Sequence, residues 1–186
     1  MKRFNVGIIG ATGMVGQRFL LLLKNHPRFN VVCLAASPSS AGKRYADAVK
    51  KWHLAEPMPE KFADFTVLDA SADKKKIAAQ TDFCFCAVNM KKEEIKKLEY
   101  EYAKLECPVV SNNSAHRGTD DVPMIIPEIN PEHLEVISAQ RKRLGTGTLR
   151  HCAVMTGEAA GTIFPSETLP QIFSGSVSLF SSSPPI

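Results

Sequence analysis

The segment Gly10-Ala11-Thr12-Gly13-Met14-Val15-Gly16 constrains the fold of this chain more than any other. It follows the apolar run Asn5–Ile9 and opens the run Met14–Lys24, where Phe19, Leu20, Leu22 and Leu23 form a broad apolar face that His26-Pro27 ends. Glycines at a strand-to-helix junction have distinct uses. The first, Gly10, makes the tight turn; the second, Gly13, lets the backbone approach a pyrophosphate; the third, Gly16, lets the helix pack closely on the strand. The first helical N–H groups then face the phosphates. A glycine triplet alone is weak evidence. One set between the first strand and first helix of a βαβ unit predicts a dinucleotide site, with a purely structural turn as the alternative.

The chain continues the alternation. Asn30–Ala36, Thr66–Ala70, Asp82–Val88 and Pro108–Ser111 read as strands. Lys91–Leu105 reads as a helix with an apolar stripe of Ile95, Leu98, Tyr102 and Leu105 and an i,i+4 pair, Glu93–Lys97. Asn130-Pro131 is a helix start, with Asn as N-cap and Pro at the first helical position. Residues 37–65 lack periodicity and form a long excursion. Continuous apolar strands separated by helices predict an α/β fold, a doubly wound parallel sheet of the Rossmann type.

In such sheets ligands bind at the carboxyl ends of the strands. An NAD site usually offers an acid at the end of the second strand, about 20 residues past the glycines, to bind the ribose 2′-hydroxyl. Here that position reads Ala35-Ala36-Ser37-Pro38-Ser39-Ser40-Ala41-Gly42-Lys43-Arg44, with no acid, several hydroxyls and two cations. That chemistry suits a 2′-phosphate and favours NADP; the alternative is a Ser/Gly loop with a solvated Lys-Arg pair. The fourth strand ends at Ala87-Val88-Asn89 and the fifth at Ser111-Asn112-Asn113-Ser114-Ala115-His116-Arg117. Arg117 is suited to holding an anion bidentately, but the segment reads equally as an Asn/Ser turn with a surface arginine. His116 reads as a packing or hydrogen-bonding histidine. Lys74-Lys75-Lys76 and Arg141-Lys142-Arg143 read as solvated surface. Cys84 and Cys86 fall on one face of a strand with no second pair at zinc spacing, so they read as core and no metal is expected.

Composition narrows the function classes. A net charge of +4 is too small to argue for nucleic-acid binding. An odd count of five cysteines, mostly in apolar runs, argues for reduced, buried thiols. The apolar run after Met1-Lys2-Arg3 is too short for a secretory signal, and no segment reaches the ~18 apolar residues of a membrane helix, so the expected location is the cytoplasm, with no membrane partner. A length of 186 residues leaves room for about one domain. Composition then breaks near Gly147. The 38 residues from Leu149 to Ile186 contain seven serines and no Lys, Asp, Asn, Tyr or Trp. The expected organisation is a cofactor-binding domain over 1–148 and an irregular, weakly ordered tail over 149–186.

With these segments in view, the chain resembles the aspartate-semialdehyde dehydrogenases, above all their archaeal and fungal branch. Three blocks carry the resemblance. They are Gly10 through Phe19; Ala35-Ala36-Ser37 and Ser40-Ala41-Gly42-Lys43 with Tyr45, Asp47 and Trp52; and Val110 through Arg117 continuing into Val122-Pro123 and Ile126-Pro127-Glu128-Ile129-Asn130-Pro131-Glu132-His133-Leu134. The resemblance implies NADPH-dependent reduction of aspartyl phosphate to aspartate semialdehyde, on the route to lysine, threonine and methionine. It implies that Thr12, Gly13, Met14 and Val15 cradle the pyrophosphate. Ser37 and Ser40 would meet the adenosine ribose and its 2′-phosphate, and Arg117 the substrate phosphate. It also implies a nucleophile in an Asn-Cys-Ser/Thr motif, which is missing here: the only cysteine after Thr148 is Cys152, within Arg150-His151-Cys152-Ala153. The resemblance is expected to end near Thr148, and the catalytic histidine, a second substrate arginine and most of the family's dimer surface would then be absent. The expectation is a cofactor half cut off before the catalytic cysteine, or else an NADP-binding module without turnover.

Overall fold

Strand β1 (Phe4–Ile9) sets the centre of the sheet because it carries almost nothing that must meet water: Val6, Ile8 and Ile9 are fully buried on its two faces. The computed structural model describes residues 3–126 and 129–146, and the backbone of 154–156. Around β1 stand β2 (Phe29–Ala36), β3 (Leu68–Asp69), β4 (Phe83–Cys86), β5 (Val109–Ser111) and β6 (Val154–Thr156), in the order β3-β2-β1-β4-β5-β6, every neighbouring pair parallel. The order reverses between β2 and β4, on either side of β1. The expected doubly wound parallel sheet is therefore present, and its switch point lies at the glycine segment.

Helices cover both faces. Phe19, Leu20 and Leu23 of α1 (Met14–Leu23) pack with Val6, Ile8, Phe83 and Phe85 on one side. Tyr45 of α2 (Tyr45–Ala48) and Phe62 of α3 (Glu60–Ala63) join that layer. On the other side, Ile77 of α4 (Lys74–Gln80) and Leu98 and Tyr102 of α5 (Lys92–Lys104) pack on Ile9, Ala35 and the thiols of Cys33, Cys84, Cys86 and Cys107. These four cysteines are buried, as expected.

Several local expectations give way to competing contacts. Only Leu68–Asp69 of the segment 66–70 joins the parallel sheet. Residues 65–67 fold instead against 42–45, through Gly42 N–H to Val67 O at 2.8 Å, Val67 N–H to Lys43 O at 2.9 Å and Tyr45 N–H to Phe65 O at 2.8 Å. A helix does start at Asn130-Pro131, with Pro131 at its first position, but the Asn130 side chain makes no cap bond. It turns back, accepting from Ile126 N–H at 2.7 Å and donating to Met124 O at 2.9 Å. The chain then enters a 3-10 turn (Pro131–Val136) before α6 (Ile137–Leu144). On α5, Glu93 pairs with Lys96 at 3.8 Å rather than with Lys97. Lys74 is half-buried and joined to Glu101 at 2.6 Å, and Arg143 binds Asp121 and Tyr100 Oη, so neither is simply solvated surface. Strand β6 lies past the composition break and extends the sheet from β5, with Val110 opposite Met155. Cys152 lies outside the described residues, as do the others of 147–153 and 157–186 and Pro127 and Glu128.

Candidate dinucleotide site

The glycine segment owes its shape to two close approaches. Gly10 has φ +89°, and a Cβ there would stand 2.4 Å from Ala87 O of the neighbouring chain segment. A Cβ on Gly16 would stand 2.2 Å from Gly10 O and 2.7 Å from Ala11 Cα, which is how α1 starts so close to the end of β1. Gly13 differs. Its φ of −79° and ψ of 165° suit any residue, and a Cβ there would meet only Gly10 O, at 3.5 Å. The absence of a side chain at Gly13 therefore leaves open space beside the helix mouth.

Buried polar groups lock this turn. Gly10 and Ala11 N–H both donate to Ala35 O, at 2.8 and 3.0 Å. Tyr45 Oη donates to Ala11 O at 2.8 Å. Gln17, fully buried on α1, donates through Nε2 to Thr12 O at 3.0 Å and to Lys51 O at 2.8 Å, while its Oε1 accepts from His53 N–H at 2.8 Å. The carbonyls of the turn are thus engaged inward. The ladder of α1 begins with Gln17 N–H to Gly13 O at 2.9 Å and Gly13 N–H donates to Gly10 O at 3.1 Å, so the N–H groups of Met14, Val15 and Gly16 are the ones this helix start presents.

A cavity of about 370 Å³ opens at this edge. Gly10, Thr12 and Gly13 form its floor; Ala36, Ser37 and Pro38 come from the end of β2, Ala70 and Ser71 from β3, and Ala87 to Met90 from β4. Carboxyl ends of four parallel strands meet there, in a volume suited to one nucleotide unit. Of the residues named from sequence, Gly10, Thr12, Gly13 and Ser37 line it. Met14 stands 58% exposed at the helix mouth, and Val15 packs half-buried on the core. Ser40 is buried in the turn after β2, and the exposed hydroxyl pair is Ser37 with Ser39, 3.0 Å apart. Ser71 and Met90 line the cavity with nothing in their local sequence pattern to mark them.

The electrostatics bear on the ribose. Asp69 stands beside Ala36 in the β2–β3 register, and its Oδ1 accepts from Ser71 and Ala72 N–H at 2.7 Å each. Lys43 Nζ lies on Ser39 O at 2.8 Å, beside the hydroxyl pair, whereas Arg44 turns away to Asp64. The cationic contribution expected of the pair therefore reduces to Lys43. Arg117 is exposed on the same edge, after β5, and does not line the cavity. Among the described residues no group of His, Cys, Asp or Glu could hold a metal ion, and no helix is long and apolar enough to cross a membrane.

His116 is fully buried under Tyr100, with ring centroids 4.5 Å apart, so it packs as expected. Burial lowers its pKa to about 4. A histidine neutral in the fold contributes stability above pH 6.5 and loses it as pH falls through that value toward its folded pKa. From pH 7 to pH 5 that loss is about 2 kcal/mol, and His116→Gln should remove this slope. Urea midpoints of both proteins at the two pH values check it; equal slopes would refute it.

A family model described as "Semialdehyde dehydrogenase, NAD binding domain" matches residues 5–137. The aspartate-semialdehyde dehydrogenase of Methanothermobacter thermautotrophicus is 39% identical over 169 residues, 91% of this chain and 46% of that protein. That of Aspergillus fumigatus is 40% identical over 139 residues, 75% of this chain and 37% of that protein. The crystal structure of the Candida albicans enzyme with NADP superposes with a TM-score of 0.69 at 32% identity, covering 83% of this chain and 42% of that one. An alignment covering 91% of the chain necessarily runs past Thr148. The chain spans less than half the length of each of these relatives.

Proposed function

The chain belongs to the family of semialdehyde dehydrogenase NAD-binding domains, and on that premise we propose that it is the NADP-binding portion of an aspartate-semialdehyde dehydrogenase, at work in the cytoplasm. The observation that carries the reading is the cavity at the glycine turn, whose walls come from four strand ends and whose ribose side offers the Ser37–Ser39 hydroxyls and Lys43 while Asp69, beside Ala36, is engaged by backbone N–H groups. NADPH would supply the hydride. The chain's own residues would bind it: Thr12 and Gly13 with the mouth of α1 hold the pyrophosphate, with Met14 and Val15 framing that mouth. Ser37 meets the adenosine ribose, and Ser40 supports the turn that presents it. Arg117 would bind the phosphate of an acyl phosphate substrate.

No Asn-Cys-Ser or Asn-Cys-Thr occurs in the sequence. That observation favours a second reading, an NADP-binding module without turnover. One series of measurements tests both. Titration with NADPH and NADH by fluorescence should show saturable binding, tighter for NADPH. Gly13→Ala should weaken it roughly tenfold by filling the open space, while stability changes by less than about 1 kcal/mol because the backbone there suits alanine. Failure to bind either nucleotide refutes both readings. NADPH formation from aspartate semialdehyde, phosphate and NADP would separate them, and loss of that turnover in Cys152→Ser would place the nucleophile in the tail.

A further inference from the structure

Away from the groove, a buried acid faces a buried imidazole. Glu99 on α5 is 1% exposed and His116, in the segment after β5, is 0% exposed. Glu99 Oε1 accepts from Ser111 Oγ at 2.5 Å and from Asn113 Nδ2 at 3.1 Å. Its Oε2 lies 3.6 Å from His116 Nε2, and neither of these two atoms has another hydrogen-bond partner. One carboxyl group therefore meets the segment at residues 111, 113 and 116, and the next residue is Arg117. The surroundings add further ties: Asn113 Nδ2 reaches Cys86 Sγ at 3.5 Å, His116 Nδ1 lies 3.3 Å from Thr119 Oγ1, and Tyr100 covers the ring while accepting from Arg143 at 2.8 Å.

A leucine on this face of α5 would suit an apolar layer better, since burying an acid is costly unless its oxygens are satisfied. What the acid adds is a single arrangement of the segment it holds. The geometry points to Glu99 as a positioning residue of the anion site: it fixes residues 111–116 and so orients Arg117, a role that rests on Arg117 binding the substrate phosphate. Burial disfavours charge on both partners, raising the Glu99 carboxyl and lowering His116. The other groups facing the pair are Cys86 of β4, raised by burial and hydrogen-bonded to Glu99, Tyr100 of α5, and the Lys96 backbone, which hydrogen-bonds His116, while the charges of Lys96, Arg143 and Asp121 act on His116 from farther off. A proton on Glu99 Oε2 turns the bare pair into a donor and an acceptor that need approach by only a few tenths of an ångström to bond.

The test uses the full 186-residue chain with Glu99→Gln, Glu99→Leu and Arg117→Ala, inorganic phosphate as the probe and NADP+ as the control. Glu99→Leu should weaken phosphate binding roughly tenfold and leave NADP+ affinity within about twofold. It should also raise hydrogen exchange of amides 111–117 by about tenfold without affecting those of β1. Glu99→Gln, neutral and of the same shape, should restore both. An infrared band of a protonated carboxyl should be present at pH 7 and missing in Glu99→Gln. Should Glu99→Leu not fold, Ser111→Ala, which removes the 2.5 Å bond, takes its place. Unchanged exchange and phosphate affinity in the leucine variant, a glutamine variant as impaired as the leucine one, or no carboxyl band would each overturn the role of Glu99. Phosphate affinity that Arg117→Ala leaves intact would instead overturn the assignment of Arg117, and with it the purpose of the positioning.

Discussion

Replacing Gly10 with alanine is expected to destabilise the protein by about 4 kcal/mol and to abolish NADPH binding along with the fold. Two penalties add. At φ +89° an alanine is in a backbone region that L residues rarely adopt, which costs about 1–3 kcal/mol. Its Cβ would also stand 2.4 Å from Ala87 O and 2.6 Å from Ala87 C, and backbone atoms cannot rotate aside as a side-chain end can. Relief requires β1 and the end of β4 to separate, although Ala87 N–H is tied to Ile9 O at 2.8 Å. Urea unfolding measures the loss directly. A midpoint within error of the parent would mean that the turn is not built as described.

Phe85→Ala is expected to be nearly as damaging, at about 4 kcal/mol. Phe85 is 3% exposed; it stacks on Phe19 at 4.9 Å and meets Phe83 and Phe29 edge-on at 5.3 and 6.2 Å. It pairs with Ile8 in the β1–β4 register and precedes the Ala87 carbonyl by two residues, so its removal opens a void directly beneath the glycine turn. Those rings belong to strands and a helix that cannot collapse without shifting the sheet, so the cavity term should be paid in full. The void should also weaken NADPH binding beyond what the stability loss explains, as seen by titration well below the unfolding transition. Phe85→Leu, which keeps most of the volume, should recover most of both.

Much of the frame was legible because apolar period and burial agree. Strands β1, β2 and β4 are continuous apolar runs, and α1 and α5 carry clear stripes; such patterns survive any tertiary context. The third strand was less so, because residues 65–67 have two possible partners, and the antiparallel contact with 42–45 wins before β2 can claim them. Asn130 has the composition of a cap, but a capping side chain binds whatever backbone is nearest, and Met124 and Ile126 are nearer than the helix start. In the candidate site, the glycines were readable from the turn they build and the serine hydroxyls from their place at the end of the second strand, whereas Thr12 came only with the family resemblance. Lys43 and Arg44 looked equivalent until Asp64, 20 residues on, took one of them. Glu99 was hidden for a different reason. Among Glu93, Glu94 and Glu101 on the same helix it reads as one more solvated charge, and only the arrival of Ser111, Asn113 and His116 turns it into an interior group.

The inward bonds of Tyr45 and Gln17 to the carbonyls of Ala11 and Thr12 have a kinetic and entropic consequence. A turn whose oxygens are already engaged has few alternative conformations left to lose, so little of the association free energy is spent on ordering it. Capture of the nucleotide should then proceed in a single concentration-dependent phase, with no slower isomerisation following it. Tyr45→Phe releases one of those carbonyls while keeping the ring. Such a variant should bind with a larger unfavourable entropy and an enthalpy little changed, so the contribution of a rigid cradle becomes visible as calorimetric entropy rather than as a missing contact to the ligand.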